Sequence, residues 1–309
     1  MSAPVTTSTG SPAKQNRSAL IAVVVAVLIG AGLAVAGSFS GARVAGIPVF
    51  ALAVAAAFLI QFLVFIPSAL RRTERFFDLT GSLTFIAVSV AVALLAPGQD
   101  VRGWILAAMV VVWAARLGSF LFARVHRAGS DGRFDEIKTK PLRFLQVWAI
   151  QGLWVSLTAS AAWIAMSADA DHRAPLDVFA IVGIVVWIVG LVVEVVADLQ
   201  KQAFRADPAN RGEFIRTGLW SRSRHPNYFG EILVWVGVFV VAAPVLQGWQ
   251  WVAVLSPLFV ILLLTRVSGI PLLEKRADEK WGDRADYRAY RDGTPVLIPA
   301  LTARGGVRE

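Results

Sequence analysis

Apolar residues fall along this chain in eight long blocks separated by polar stretches: Leu20–Val35, Ile47–Leu70, Leu79–Leu95, Trp104–Phe122, Phe144–Met166, Val178–Ala197, Ile232–Val245 and Trp249–Leu264. A helix rises about 1.5 Å per residue, so about 20 apolar residues cross the roughly 30 Å hydrocarbon layer of a membrane. Each block is near that length, and no stretch alternates with the period of two that marks a strand. The pattern predicts an all-α fold, a polytopic transmembrane helix bundle of about eight helices. Ile232–Val245 is short for a span and reaches full length only if its helix starts near Tyr228. Trp249 and Trp251 sit where an interfacial aromatic belt belongs.

The polar stretches carry charge unevenly. Arg71, Arg72 and Arg75 follow the second block; Arg124, Arg127, Arg133, Lys138, Lys140 and Arg143 follow the fourth. Lys201, Arg205, Arg211, Arg216, Arg222 and Arg224 follow the sixth, and Lys275, Arg276, Lys280, Arg284, Arg288 and Arg291 the eighth. The alternate loops hold only Arg43, Arg102 and Arg173. Cytoplasmic loops are the Lys/Arg-rich ones, so both termini are expected in the cytoplasm. Residues 1–18, rich in Ser, Thr, Gly and Pro, read as a disordered tail. Lys14 and Arg17 before an apolar run also fit a signal peptide, but seven further runs favour a retained first span. Residues 19–299 read as one integral membrane domain, with the chemistry-bearing part in 178–299 and a C-terminal tail at 300–309.

Composition narrows the class. Hydrophobic residues make up 56% of the chain and charged ones 17%, proportions rare in a soluble protein. The net charge of +9 is accounted for by basic loops against a membrane, so membrane lipids rather than nucleic acid are the expected partners. There is no cysteine, which removes disulfides and thiolate metal sites. His126, His172 and His225 are scattered, and no metal site is expected. The dinucleotide G-x-G-x-x-G, the P-loop, H-E-x-x-H and G-x-S-x-G are all missing.

Candidate chemistry gathers at the sixth and seventh blocks. Glu194 and Asp198 are four residues apart and share a helical face. Carboxylates at the end of a lipid-embedded helix point inward, to a polar pocket or to a basic partner that merely pins the helix. From Arg205 to Arg224 the loop is cationic; arginine forks bind phosphate in a bidentate manner, and the same loop would also suit lipid headgroups. Asn227, Tyr228 and Glu231 then place an amide, a phenol and a carboxylate beside those cations. Such a cluster suits a ligand larger than bare phosphate. His225 is either a proton donor or a structural residue before Pro226. Arg266, at the end of the last block, either snorkels to the interface or joins the site. The mixed-charge run Glu274–Tyr287 reads as a short surface helix and a turn at Gly282.

The stretch Ser223-Arg224-His225-Pro226-Asn227-Tyr228-Phe229-Gly230-Glu231 resembles the steroid 5-alpha-reductase superfamily, and within it the bacterial membrane-protein branch. Trp113-Ala114-Ala115-Arg116-Leu117-Gly118, Gly129-Ser130-Asp131-Gly132-Arg133-Phe134-Asp135 and Lys280-Trp281-Gly282 with Tyr287 and Pro299 extend the likeness over roughly 78–299. The resemblance implies a helical bundle that encloses NADPH from the cytoplasmic side and passes a hydride to the β-carbon of a conjugated enone. It implies cofactor contacts from Asp198, Arg205, Arg216 and Arg266. Asn227 and Glu231 would hold the nicotinamide end, with Tyr228 at an aromatic position and Glu194 on the same acidic face. The steroid-reducing members carry an acid in the second span, and Phe65 stands at the matching place. Asp78, His225 and Tyr228 are the remaining candidates for handling a substrate proton.

Three functions compete. The first is an NADPH-dependent reductase of an apolar lipid or steroid-like molecule in a bacterial cytoplasmic membrane, its site facing the cytoplasm. The second is an S-adenosylmethionine-dependent methyltransferase, since isoprenylcysteine and phospholipid methyltransferases look similar around Arg224-His225-Pro226-x-Tyr228. The third is a non-catalytic membrane protein whose polar cluster is structural. Asn227 and Gly230-Glu231, with Glu194 and Asp198 upstream, favour the first.

Overall fold

The computed structural model describes residues 11–128 and 134–300. Among the described residues the fold is all-α apart from one tiny antiparallel hairpin, β1 (Arg43–Val44) with β2 (Ile47–Pro48), and a single bridge between Gly41 and Ala168. Among the described residues, eight helical segments are long and apolar enough to cross a membrane. Seven are α1 (Pro12–Gly37), α2 (Val49–Leu70), α3 (Phe77–Leu95), α4 (Val101–Ala128), α5 (Pro141–Met166), α6 (Val178–Ala206) and α7 (Pro226–Ala242). The eighth, Gly248–Trp281, starts as a 3₁₀ turn, continues as α8 (Leu255–Leu262), loosens into a π turn over Leu263–Val267 and ends as α9 (Ile270–Trp281). A short polar helix, α10 (Ala285–Gly293), follows the turn at Gly282. These segments make the chain an integral membrane protein.

Two boundaries shift from the apolar pattern for local reasons. α1 starts at Pro12, so residues 12–18 are helical rather than a disordered tail. Ser11 caps the helix by accepting from the Lys14 N–H at 3.5 Å, and Pro12 presets the first turn. α7 starts at Pro226, which supplies the length that Ile232–Val245 lacked. The outer segments 1–10 and 301–309 of the two expected tails, and Gly129–Arg133 of the family motif, lie outside the described residues.

Packing divides the chain into two compact units. One is the chain up to Arg173 together with Val245–Ala253; the other is Ala174–Pro244 with the chain from Val254 onward. In the first, α5 packs against α1, α2, α3 and α4. In its most apolar window 83% of residues are buried, against 22% for α1. The reason is in the sequence: α5 carries Gln151, Ser156, Thr158 and Ser160, all buried, which hydrocarbon would not solvate. Gly152 lets α2 approach, since a Cβ there would stand 3.0 Å from the Phe58 ring. Side chains tie the helices together: Trp163 Nε1–H donates to Ser89 Oγ at 2.9 Å and Gln61 Nε2–H to Thr84 Oγ1 at 2.8 Å. Phe65 packs with Phe77, Phe134, Phe144 and Trp148 in an aromatic cluster.

In the second unit α6 and α7 form an antiparallel pair through glycines. Gly183 and Gly190 are seven residues apart on α6, as are Gly230 and Gly237 on α7, so each pair lies on one face. A Cβ on Gly190 would stand 2.7 Å from the Gly230 carbonyl oxygen, and one on Gly230 2.6 Å from the Gly190 oxygen. Gly183 and Gly237 repeat this two turns along. Between spans in lipid, such small residues let backbones touch and gain dispersion contact in place of a hydrophobic drive.

Candidate functional site

The site is built where α6 ends. Asp207 stops the helix and accepts from the Ala209 N–H at 2.9 Å, starting a 3₁₀ turn. The chain then returns to α6 through a second turn at Gly218, whose φ of 61° suits glycine. Gln200 Oε1 accepts from the Leu219 N–H at 2.9 Å, and Trp220 Nε1–H donates to the Ala197 carbonyl at 3.0 Å. Lys201 places its ammonium 4.4 Å from the centre of the Trp220 ring. The cationic loop is thereby pinned to its own helix.

Its next segment is strapped by the C-terminal stretch. The Arg224 N–H donates to the Pro295 carbonyl at 2.9 Å, Ser223 Oγ–H to the Leu297 carbonyl at 2.8 Å, and the Ala300 N–H to the Arg222 carbonyl at 3.0 Å. Glu274 of α9 receives two partners at once. Arg224 Nη1 lies 2.5 Å from its Oε2, and His225 Nε2 lies 2.7 Å from its Oε1. A carboxylate only accepts, so the shared proton is carried on Nε2 of His225. The imidazole is buried and stacks on Tyr228, with ring centres 5.7 Å apart and planes 10° from parallel.

Aromatic residues complete the wall. Phe214 packs against Trp281, Tyr287 and Tyr290 at centre distances of 5.9, 5.2 and 5.4 Å. Arg216 and Arg284 sit over the Phe214 ring at 5.5 and 5.3 Å. Trp281 Nε1–H donates to the Gly212 carbonyl at 2.6 Å, and the Tyr290 hydroxyl to the Trp220 carbonyl at 2.7 Å. Arg284 donates to Glu213 at 2.6 and 3.1 Å and to Asp286 at 2.8 and 3.1 Å. These bonds hold both carboxyls below their ordinary range, and the Arg284 guanidinium above its own. Burial pushes the Tyr287 phenol up to about 12, and raises that of Tyr290 further.

These elements enclose a cavity of about 320 Å³. Five basic side chains line it: Lys201, Arg205, Arg224, Arg276 and Lys280. Its two acids are engaged, Glu213 with Arg284 and Glu274 with Arg224 and His225. The cavity therefore carries an excess of positive charge beside flat aromatic faces. That combination suits a polyanion bearing a planar ring, and the volume is at the lower end of small-molecule sites, about 300–1,000 Å³.

Of the residues singled out from sequence, Arg205 and His225 line this cavity. Arg216 stands beside it, exposed, 3.7 Å from Asp286. A second group runs along the α6–α7 seam. Asp198 and Glu231 both act electrostatically on the Tyr228 phenol, and Glu194 is buried where Gly230 abuts its backbone. Asn227 occupies the first turn of α7, one turn before Glu231. Arg266 is exposed in the π turn and does not line the cavity. Asp78, in the first turn of α3, belongs to the other unit. Sequence reasoning missed Glu274, Phe214 and Tyr290. One signal was available: Tyr287 and Tyr290 are three apart and share a face of α10. Another was that Arg224 and His225 together require an acid.

The chain is 35% identical over 68 residues to "Probable O-methyltransferase ustE" of Ustilaginoidea virens, covering 22% of this chain and 24% of that protein. It is 27% identical over 230 residues to "Uncharacterized protein C594.04c" of Schizosaccharomyces pombe, covering 65% of this chain and 64% of the relative. The chain thus spans about a quarter of the first relative and just under two thirds of the second. No solved structure matches it. The family described as protein of unknown function (DUF1295) matches over residues 64–294, which takes in α3 to α10, the cationic turn and the aromatic wall, and the chain belongs to that family.

Proposed function

We propose that this protein is a membrane reductase that binds NADPH at the end of α6 and reduces a conjugated C=C of an apolar lipid or steroid-like molecule. The observation that carries the reading is the cavity with five basic side chains against an aromatic wall. NADPH is a polyanion with a flat base at each end, whereas S-adenosylmethionine carries a sulfonium and no phosphate. An excess of cations attracts the first and repels the second. The grouping of DUF1295 with steroid 5-alpha-reductase-like proteins supports the same reading.

The roles follow from placement. Arg205, Arg276 and Lys280 would hold phosphate oxygens, and Phe214 with Tyr290 would flank a base. Glu274 keeps Arg224 extended and His225 in one tautomer. Asn227 has the donor and acceptor that recognise a carboxamide, and Glu231 lies one turn beyond it. NADPH supplies a hydride when bound; the chain orients it and keeps water out. The lipid substrate, the bacterial cytoplasmic membrane and the cytoplasmic-facing site belong to this same reading. A methyltransferase is the second reading, favoured by the printed name of the Ustilaginoidea virens relative.

Ligand-dependent melting of the detergent-solubilised protein tests both. NADPH is expected to raise the melting temperature, and Arg205→Ala with Lys280→Ala to remove the rise while leaving the unliganded melt unchanged. A shift with S-adenosylmethionine and none with NADPH would replace the reductase by the methyltransferase. No shift with either would leave the cluster structural.

A further inference from the structure

A second site lies in the other unit, at the end of α1. An open groove of about 810 Å³ is walled by small or apolar residues: Gly32, Ala34, Val35, Ala36, Ala51 and Trp249. At one end it becomes polar, with Ser38, Ser40 and Arg43. The same three residues line an adjoining cleft of about 300 Å³, which adds Asp169. The surface is therefore apolar along its length, cationic at the junction and acidic at the far end.

The polar end is held in place. The Ala42 N–H donates to the Ser167 carbonyl at 2.8 Å, and Gly41 bridges Ala168, so the loop after α1 is tied to the end of α5. Ser40 and Ala45 adopt φ of 47° and 49°, a left-handed backbone that costs energy in residues other than glycine. The Ser38 hydroxyl is buried and has no hydrogen-bond partner among the described residues. Arg43 donates to the Gly46 carbonyl at 3.0 Å with one Nη, and Asp169 accepts from the Ala170 N–H at 2.8 Å with one oxygen. Arg43 and Asp169 face one cleft, yet no ion pair joins them. Of the three cations in the charge-poor loops, Arg173 is held by Gln99, Pro97 and Asp100, and Arg102 is buried. Arg43 alone of these stands at an open cleft.

We propose that this groove binds a phosphatidylethanolamine molecule. The phosphate meets Arg43, the ammonium meets Asp169, and an acyl chain lies along Gly32, Val35 and Ala51 beside Trp249. A free phosphate would use only the polar end; the continuous apolar groove selects a lipid. A zwitterionic headgroup matches a cation and an anion that share a cleft without pairing. The ammonium hydrogens distinguish ethanolamine from choline, whose methylated nitrogen cannot donate to Asp169. The site is independent of any cofactor at the end of α6.

Native mass spectrometry of the full chain tests it, after exchange into a mild detergent with a defined mixture of phosphatidylethanolamine, phosphatidylcholine and phosphatidylglycerol. Phosphatidylethanolamine should be retained about tenfold over phosphatidylcholine, the discrimination expected of one charge-assisted hydrogen bond. Asp169→Asn, which can still cap Ala170, should abolish that preference. Arg43→Ala should lower retention of all three lipids. Ala51→Trp should do the same by filling the groove, so the test survives if Arg43→Ala does not fold. Equal retention of the three lipids by the native sequence, preference for phosphatidylglycerol, or unchanged retention in both Arg43→Ala and Ala51→Trp would overturn the proposal.

Discussion

Glu274 shows how much one residue can decide. It joins Arg224, whose side chain is 12% exposed, to His225 at 6%. Removing its charge strands a nearly buried guanidinium, and the loss of this charge-assisted hydrogen bond costs about 1.5–3 kcal/mol. Glu274→Gln keeps the shape and should lower stability by that amount in equilibrium unfolding with a denaturing detergent. Arg284 makes a second, solvated cluster with Glu213 and Asp286. Both carboxyls have depressed folded-state pKa values, so the stabilisation is complete above the ordinary carboxylate range of about 4 and is lost as pH falls below it. Tyr287 works in the opposite direction. Its phenol is raised to about 12, so stability from burying it neutral is full below about 10 and declines as pH rises toward 12. Thermal melts across pH should show an acid shoulder that Arg284→Ala removes and an alkaline one that Tyr287→Phe reduces, the remainder coming from Tyr290.

At the scale of elements, the α6–α7 pair carries the site. Its glycines place Glu194, Asp198, Tyr228 and Glu231 along one seam. Gly230→Ala would put a Cβ 2.6 Å from the Glu194 nitrogen and the Gly190 oxygen. Those atoms are backbone and cannot swing aside, so the helices must separate, at a cost of about 1–3 kcal/mol. Gly293→Ala, where nothing lies within 4 Å, is the control and should be neutral. Thermal melts of the two variants separate close packing from a general intolerance of alanine. The eight spans were legible because their apolar length is set by lipid, residue by residue. The start of α7 was legible too, through Pro226. The seven-residue glycine spacing was also present in the chain, but spacing alone does not say which helix it faces.

For the molecule as a whole, the charge alternation between loops makes a prediction about orientation. The chain has no cysteine, so single introduced cysteines report cleanly. Arg211→Cys should resist an impermeant thiol reagent added outside cells, and Asp171→Cys should react. The reverse pattern would overturn the assignment of both termini to the cytoplasm. The sequence by itself determined the membrane class, the number of apolar spans and the crowding of cations between α6 and α7, because each depends on composition along the chain. Only the tertiary structure decided that Arg205 and His225 share a cavity with α9 and α10. It alone put Phe65 in an aromatic cluster and left Arg266 outside the cavity lining. Those outcomes rest on contacts between residues tens of positions apart, such as His225 with Glu274 and Phe214 with Tyr290, and no local pattern encodes a partner that the chain brings back from so far away.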